Sequence, residues 1–306
     1  MILLVLLRSK ACRWEFGYVR QPQLVHVYLP GGDKSPGRIV KWEELMDDAE
    51  LCRRLFGEAL DHTFQGDLDA EDPYGPTQST LKQLKQMAKT AEEQEHQAWC
   101  ELPFRQLAHN FAKNTFGEKS LEAVESAHEL VAVYLQTGFP DRAQKIGEVL
   151  LQTTVDKFGK EDPGVAAALA KLGMAHGYLG DYTKKKDLLE GALRIQEQYG
   201  QLHIEVAATL TNLASAHGQL GELGRQKDLH ERALTIKEQL YGKEHHLVAM
   251  TLKGLGIAHA QLGNFSQVKD LFERTLRIEE QHYGQEHPEV AATLTNLGIA
   301  HRKLVN

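Results

Sequence analysis

Histidine is the side chain best suited to binding metals and moving protons near neutral pH. Four histidines of this 306-residue chain, His176, His217, His259 and His301, recur in register. To share a zinc ion they would have to converge to about 2 Å from it. Equivalent atoms on stacked helices instead stand roughly 10 Å apart. The spacing therefore predicts a row of packed histidines, each bonded to nearby backbone or side chain, and no metal site. His203, His245 and His287 form a second row. Asp162-Pro163 and Pro288 stand at or beside the matching places, so these three are expected at turns and helix starts.

Other catalytic patterns fail on inspection. His128-Glu129 opens like a zinc-protease motif, but Tyr134 lies beyond it and the second histidine is missing. Pro30-Gly31-Gly32-Asp33-Lys34-Ser35 resembles a phosphate loop, yet Asp33 stands where glycine is required and would repel phosphate. There is no Gly-x-Ser-x-Gly elbow. Glu273, Glu279 and Glu280 alternate with Arg274 and Arg277, as on a solvated helical face with local ion pairs. These residues predict no catalytic constellation, no cofactor and no metal. The chain reads as a non-enzyme.

The net charge of −7 argues against a nucleic-acid partner, which demands clustered Lys and Arg. The run Lys184-Lys185-Lys186 falls where a helix should begin after a turn. Cys12, Cys52 and Cys100 are odd in number and far apart, which suits reduced thiols in the cytoplasm. The apolar opening Met1 to Leu7 is too short to span a bilayer, lacks a preceding basic region, and is expected to form a buried strand. No membrane partner is expected.

The elements that hold these residues repeat. Phe116, Phe158, Tyr199, Tyr241 and Tyr283 each precede glycine at intervals of about forty-two residues, one interval being a residue short. Such a period marks stacked units, each too small to bury its own apolar face. Val248, Leu252, Leu255 and Leu262 lie on one face of a first helix, which Gly263 ends. Val268, Leu271, Phe272, Leu276 and Ile278 line a second helix, which stops at Tyr283-Gly284. Residues 116–306 are thus expected to be an array of helix pairs. Tyr74-Gly75 lies in phase with them, which suggests a degenerate repeat over 74–115, with Met87, Trp99, Phe104 and Leu107 as its core; an ordinary helix pair is the alternative. Residues 61–73 read as an acidic linker. Residues 1–60 read as a small α+β unit, with Val25 to Leu29 as a strand and Trp42 to Ala59 as a helix face.

Leu255-Gly256-Ile257-Ala258-His259, followed by Leu262-Gly263-Asn264-Phe265, resembles the tetratricopeptide repeat; Leu172-Gly173 with Gly180-Asp181-Tyr182 is a second match. The length and the lead-in His287-Pro288-Glu289-Val290-Ala291 resemble the kinesin-light-chain type. That resemblance implies an all-α right-handed superhelix, or solenoid, of antiparallel helix pairs. First helices would line a concave groove that receives a peptide or helix of another protein. Asn212 and Asn296 hold the place whose amide bonds ligand backbone in this family, while Lys171 and Gly254 hold it in other copies. Ala208, Thr211 and Ser215 beside Asn212, with Lys253 and Thr295, complete the expected groove. No heptad coiled coil precedes the repeats, so the resemblance does not extend to a motor subunit. Two other readings stand beside this scaffold or adaptor. Residues 1–60 are a small enzyme or signalling domain recruited by the repeats, or the helix carrying Leu294, Leu297 and Leu304 mediates self-association.

Overall fold

The computed structural model describes residues 98–200 and 202–305 throughout, and before them residues 16–17, 26–29, 38–41, 81–82, 84–86 and 88–90. These belong to two units, Met1–Ser126 and Ala127–Asn306. In the first unit, β1 (Phe16–Gly17), β2 (His26–Leu29) and β3 (Arg38–Lys41) pair antiparallel in the order β1-β2-β3. Val27 of β2 stands between Phe16 and Val40. The expected strand at residues 1–7, the helix face from Trp42 and the linker 61–73 lie outside the described residues.

Helix α1 (Ala98–Phe116) packs Ala108 and Ala112 with Leu81, Leu84 and Ala123. Leu107 joins that cluster from the expected core, whereas Phe104 is half-buried and the side chains of Met87 and Trp99 lie outside the described residues. We keep residues 74–115 as a proposed worn copy of the repeat. Helix α2 (Leu121–Gln136) crosses the unit boundary and starts where Ser120 Oγ accepts from the Ala123 amide at 3.1 Å.

The second unit continues with α3 (Pro140–Phe158), α4 (Pro163–Tyr178), α5 (Tyr182–Tyr199), α6 (Ile204–Gln219), α7 (Leu223–Tyr241), α8 (His246–Gln261), α9 (Phe265–Tyr283) and α10 (Pro288–Val305). Even-numbered members are the first helices of repeats and odd-numbered members the second. From α3 to α9 each helix packs on the next in sequence, and the first helices α4, α6 and α8 also touch in succession.

The first helices end alike because their last residues are alike. Gly263 adopts φ 79°, which lets the Asn264 amide reach back to the His259 carbonyl at 2.9 Å. Asp181 to His176 and Glu222 to His217 repeat that bond, also at 2.9 Å. At the other end, Asp162 is extended and its carboxylate accepts from the Gly164 amide at 2.7 Å, with Pro163 at the first helical position.

The repeated Val-Ala pair explains the stacking. Val165-Ala166, Val206-Ala207 and Val248-Ala249 are buried, and each pair packs with its own second helix and with the preceding one. Leu151, Leu193 and Leu234 are the preceding helices' contributions. One apolar core therefore runs through the second unit, as the stacked-unit argument requires. The Leu-Gly pair adds a close approach: a β-carbon at Gly256 would lie 2.8 Å from the Phe272 ring. The architecture is an all-α solenoid of helix pairs.

Candidate functional site

Val206, Leu210, Leu213 and Ala214 of α6 turn inward, which leaves Glu205, Ala208, Ser215 and Gln219 exposed along one stripe with half-buried Thr211 and Asn212 between. The periodicity that buries one face thereby presents the other. Because α4, α6 and α8 lie side by side, equivalent stripes adjoin. Ala208 corresponds to Met250 and Ala292, and Ser215 to Met174, Ile257 and Ile299.

The expected groove residues divide into free and committed groups. Ala208, Ser215 and Thr295 are exposed, and Asn212 has no side-chain hydrogen bond among the described residues. Ser215 Oγ receives a 3.4 Å contact from Lys185 Nζ. Thr211 and Thr295 donate to the carbonyls of Ala207 and Ala291, at 2.8 and 2.9 Å. Asn296 folds back to the Ala292 carbonyl at 3.2 Å, where a rotation would free it. The two lysines are engaged. Lys171 Nζ donates to the His128 carbonyl at 2.6 Å, and burial pulls its amine down to about 8, against a smaller opposing pull from Glu129. Lys253 bridges Glu279 at 3.0 Å and Glu289 of the next first helix. Burial opposes its charge, yet the bonds to Glu289 and Glu279 raise its pKa. The lysines tie neighbouring repeats together.

Gly254 breaks the row of asparagines for a steric reason. The His230 ring of α7 occupies its side-chain space, with Cε1 only 2.5 Å from where a β-carbon would stand. His230 is buried, its Nδ1 has no hydrogen-bond partner among the described residues, and burial followed by the charge of Lys237 drives it to about 4.

The spacing of residues alone does not single out the exposed apolar members of this face. Tyr178 is 64% exposed, Met250 59%, Ile257 48% and Ile299 44%. Their signal lay in comparing copies. Ile257 replaces Ser215 and Met250 replaces Ala208 at unchanged places, and a position that tolerates such swaps is facing water.

The in-register histidines close turns. His217 Nδ1 meets Glu222 Oε2 at 2.6 Å, His176 Nδ1 meets Asp181 Oδ2 at 3.5 Å, and His259 Nδ1 lies 3.4 Å from Asn264 Nδ2. Each joins the same residue pair as the backbone bond at the helix end, while His301 is exposed. Among the described residues no group of three or more His, Cys, Asp or Glu is placed to hold a metal. The lysine run does start a helix. Asp181 accepts from the Lys184 amide at 3.0 Å, Lys185 reaches Ser215, and Lys186 approaches Glu222 at 3.5 Å. Among the described residues no helix is long and apolar enough to cross a membrane.

The tetratricopeptide repeat family matches residues 227–281 by one of its profiles and residues 165–199 and 206–247 by another. No curated protein matches the chain. Among solved structures, kinesin light chain nearly identical TPR-like repeats from Podosopora anserina share 20% identity and a TM-score of 0.57, covering 66% of this chain and 96% of that one. BtubC (BKLC) from P. vanneervenii shares 21% identity and a TM-score of 0.55, covering 75% and 85%. The signal transduction ATPase PH0952 from Pyrococcus horikoshii, which carries a tetratricopeptide repeat sensor, shares 15% identity and a TM-score of 0.56, over 83% of this chain and 37% of that one. Profile, period and stacking agree that residues 165–199 and 206–281 are tetratricopeptide repeats, and the solenoid has the fold of the kinesin-light-chain-like arrays.

Proposed function

We propose that the chain is a non-catalytic scaffold or adaptor that holds a peptide or helix of another protein against its first helices. The carrying observation is a face that sets half-buried amides, Asn212 and Asn296, beside exposed apolar groups, Met250, Ile257 and Ile299. Amides can pair with ligand backbone while the apolar groups take side chains, and a prebuilt stack keeps the ordering cost of binding small. The engaged lysines and the net charge favour a protein partner over nucleic acid. The odd, widely spaced cysteines favour a cytoplasmic setting.

The test is affinity capture with the full chain, comparing wild type with Asn212→Ala/Ile257→Asp and confirming that the variant folds by circular dichroism. We expect at least one protein captured by the wild type and lost in the variant. Identical capture profiles would move binding away from this face.

A second reading, self-association through α10, is favoured by its exposed Leu294 and Leu304. Leu297 instead packs on Val268, Phe272 and Ala300, so substituting it would damage the core. Leu294→Glu is the clean variant. A dimer in sedimentation that this change dissociates would support self-association, and a monomer at all concentrations would end it.

A further inference from the structure

We propose that α8 and α10 start on caps that acid releases: His245 and His287 fasten the first helical turns only while their imidazoles are neutral. His245 Nδ1 accepts from the Leu247 amide, and His287 Nδ1 accepts from the Glu289 amide, each at 3.2 Å. His245 has extended backbone geometry, φ −83° and ψ 141°, as an N-cap should. Asp162 makes the same bond, two residues forward, at the start of α4. The chemistry differs. A carboxylate stays an acceptor down to about pH 4, whereas an imidazole loses its accepting nitrogen on protonation, ordinarily around pH 6.5. The protonated ring also places positive charge at the positive end of a helix.

The surrounding rings connect the two caps. Tyr241 stacks on His245 at 4.8 Å, His245 touches His246 at 4.3 Å, and His246 stacks on His282 at 4.2 Å. His282 then meets Tyr283 at 4.5 Å, and Tyr283 stacks on His287 at 4.4 Å. One row of rings thus joins the loop before α8 to the loop before α10. Protonating adjacent members sets like charges face to face. Desolvation, with the charges of His282 and His245, already holds His246 below its ordinary range.

The charged groups in and around the row are few. Lys243 and Glu244 lie in its first loop, and Arg274 donates to the Lys243 carbonyl while pairing with Glu238. Glu286 lies in the second loop, and Glu289 beyond it is held by Lys253. His203 at the start of α6 is the contrasting case. It makes no cap bond and turns Nδ1 to Glu205 instead.

Helices α8 and α10 carry Met250, Lys253 and Asn296, so acid would loosen part of the groove; that consequence rests on the groove reading, whereas the caps do not.

Residue-resolved amide hydrogen exchange on the full chain tests the caps, with protection corrected for intrinsic rate at pH 7.5 and 5.5. We expect protection of the Leu247 and Glu289 amides to fall about fivefold more than that of Gly164, the scale of losing one cap. In His245→Asp/His287→Asp that difference should vanish. Equal pH responses at Leu247, Glu289 and Gly164 in the wild type would overturn the proposal, as would aspartate variants that lose protection in acid as the wild type does. The wild-type comparison decides even if a variant misfolds.

Discussion

Burial drives the imidazoles of His128 and His230 down to about 4, with the nearby charges of Lys171 and Lys237 as the second cause. Between that value and the ordinary 6.5, the unfolded chain binds a proton that the folded chain refuses. Stability therefore rises with pH across this window, is fully present above it, and is lost as pH falls towards 4, by roughly 3 kcal/mol for each group. Leu189 occupies in α5 the place that His230 holds in α7. Urea unfolding at pH 7 and pH 4.5 should show His230→Leu losing about 2–3 kcal/mol less than wild type over that interval. Parallel losses would place the buried proton site elsewhere. Lys237 is a second isolated group: its ammonium is buried and meets Thr251 Oγ1 at 2.8 Å. The same place in the next repeat is Glu279, which takes both Lys253 and Thr293. Replacing a desolvated cation with an apolar side chain of similar length should help, so Lys237→Met is expected to gain about 1 kcal/mol in urea midpoint analysis. A loss would mean that the bond to Thr251 outweighs the burial cost.

Helices here are defined by how they end. Gly263→Ala forces an L side chain into left-handed geometry and should cost about 1–2 kcal/mol. Asp162→Ala removes a cap and should cost about 1 kcal/mol, seen as a lowered thermal midpoint. These ends were legible in the sequence because glycine, aspartate and proline act on their immediate neighbours. The Val-Ala and Leu-Gly pairs were legible for a related reason, since a 3.6-residue period maps sequence onto a buried face. Lys171 and Lys253 were not. Each was placed correctly on its first helix, but its long side chain bends to a partner 43 or 26 residues away, and local spacing carries no record of that. The filled notch at Gly254 was equally hidden, because the ring that fills it comes from another helix. Leu297 illustrates the limit within one turn. The apolar stripe Leu294, Leu297 and Leu304 reads as a single face, yet only Leu297 joins the Phe272 cluster.

At the scale of the array, each repeat leans on its neighbours through shared core clusters, so damage should spread along the stack rather than stay local. Phe272 is fully buried, packs with Val268 and Ala300, and lies against Gly256. Phe272→Ala should cost about 3–5 kcal/mol, and hydrogen exchange should show α8, α9 and α10 losing protection before α4 and α5. Uniform loss would mean that the second unit unfolds as one block. The connections between repeats carry a further implication. Gly242 and Gly284 share the same backbone geometry, φ 84° and ψ 162°, and each amide closes its helix on the residue four before. The chain therefore leaves one repeat and the next in the same direction, like two ends cut by the same blade. Splicing out residues 243–284 would join Gly242 directly to Gln285, and the surface of α7 would receive α10 where α8 had been. A gene losing or copying such a segment changes the length of the array without redesigning a junction, so the protein's reach is open to adjustment by recombination, one repeat at a time.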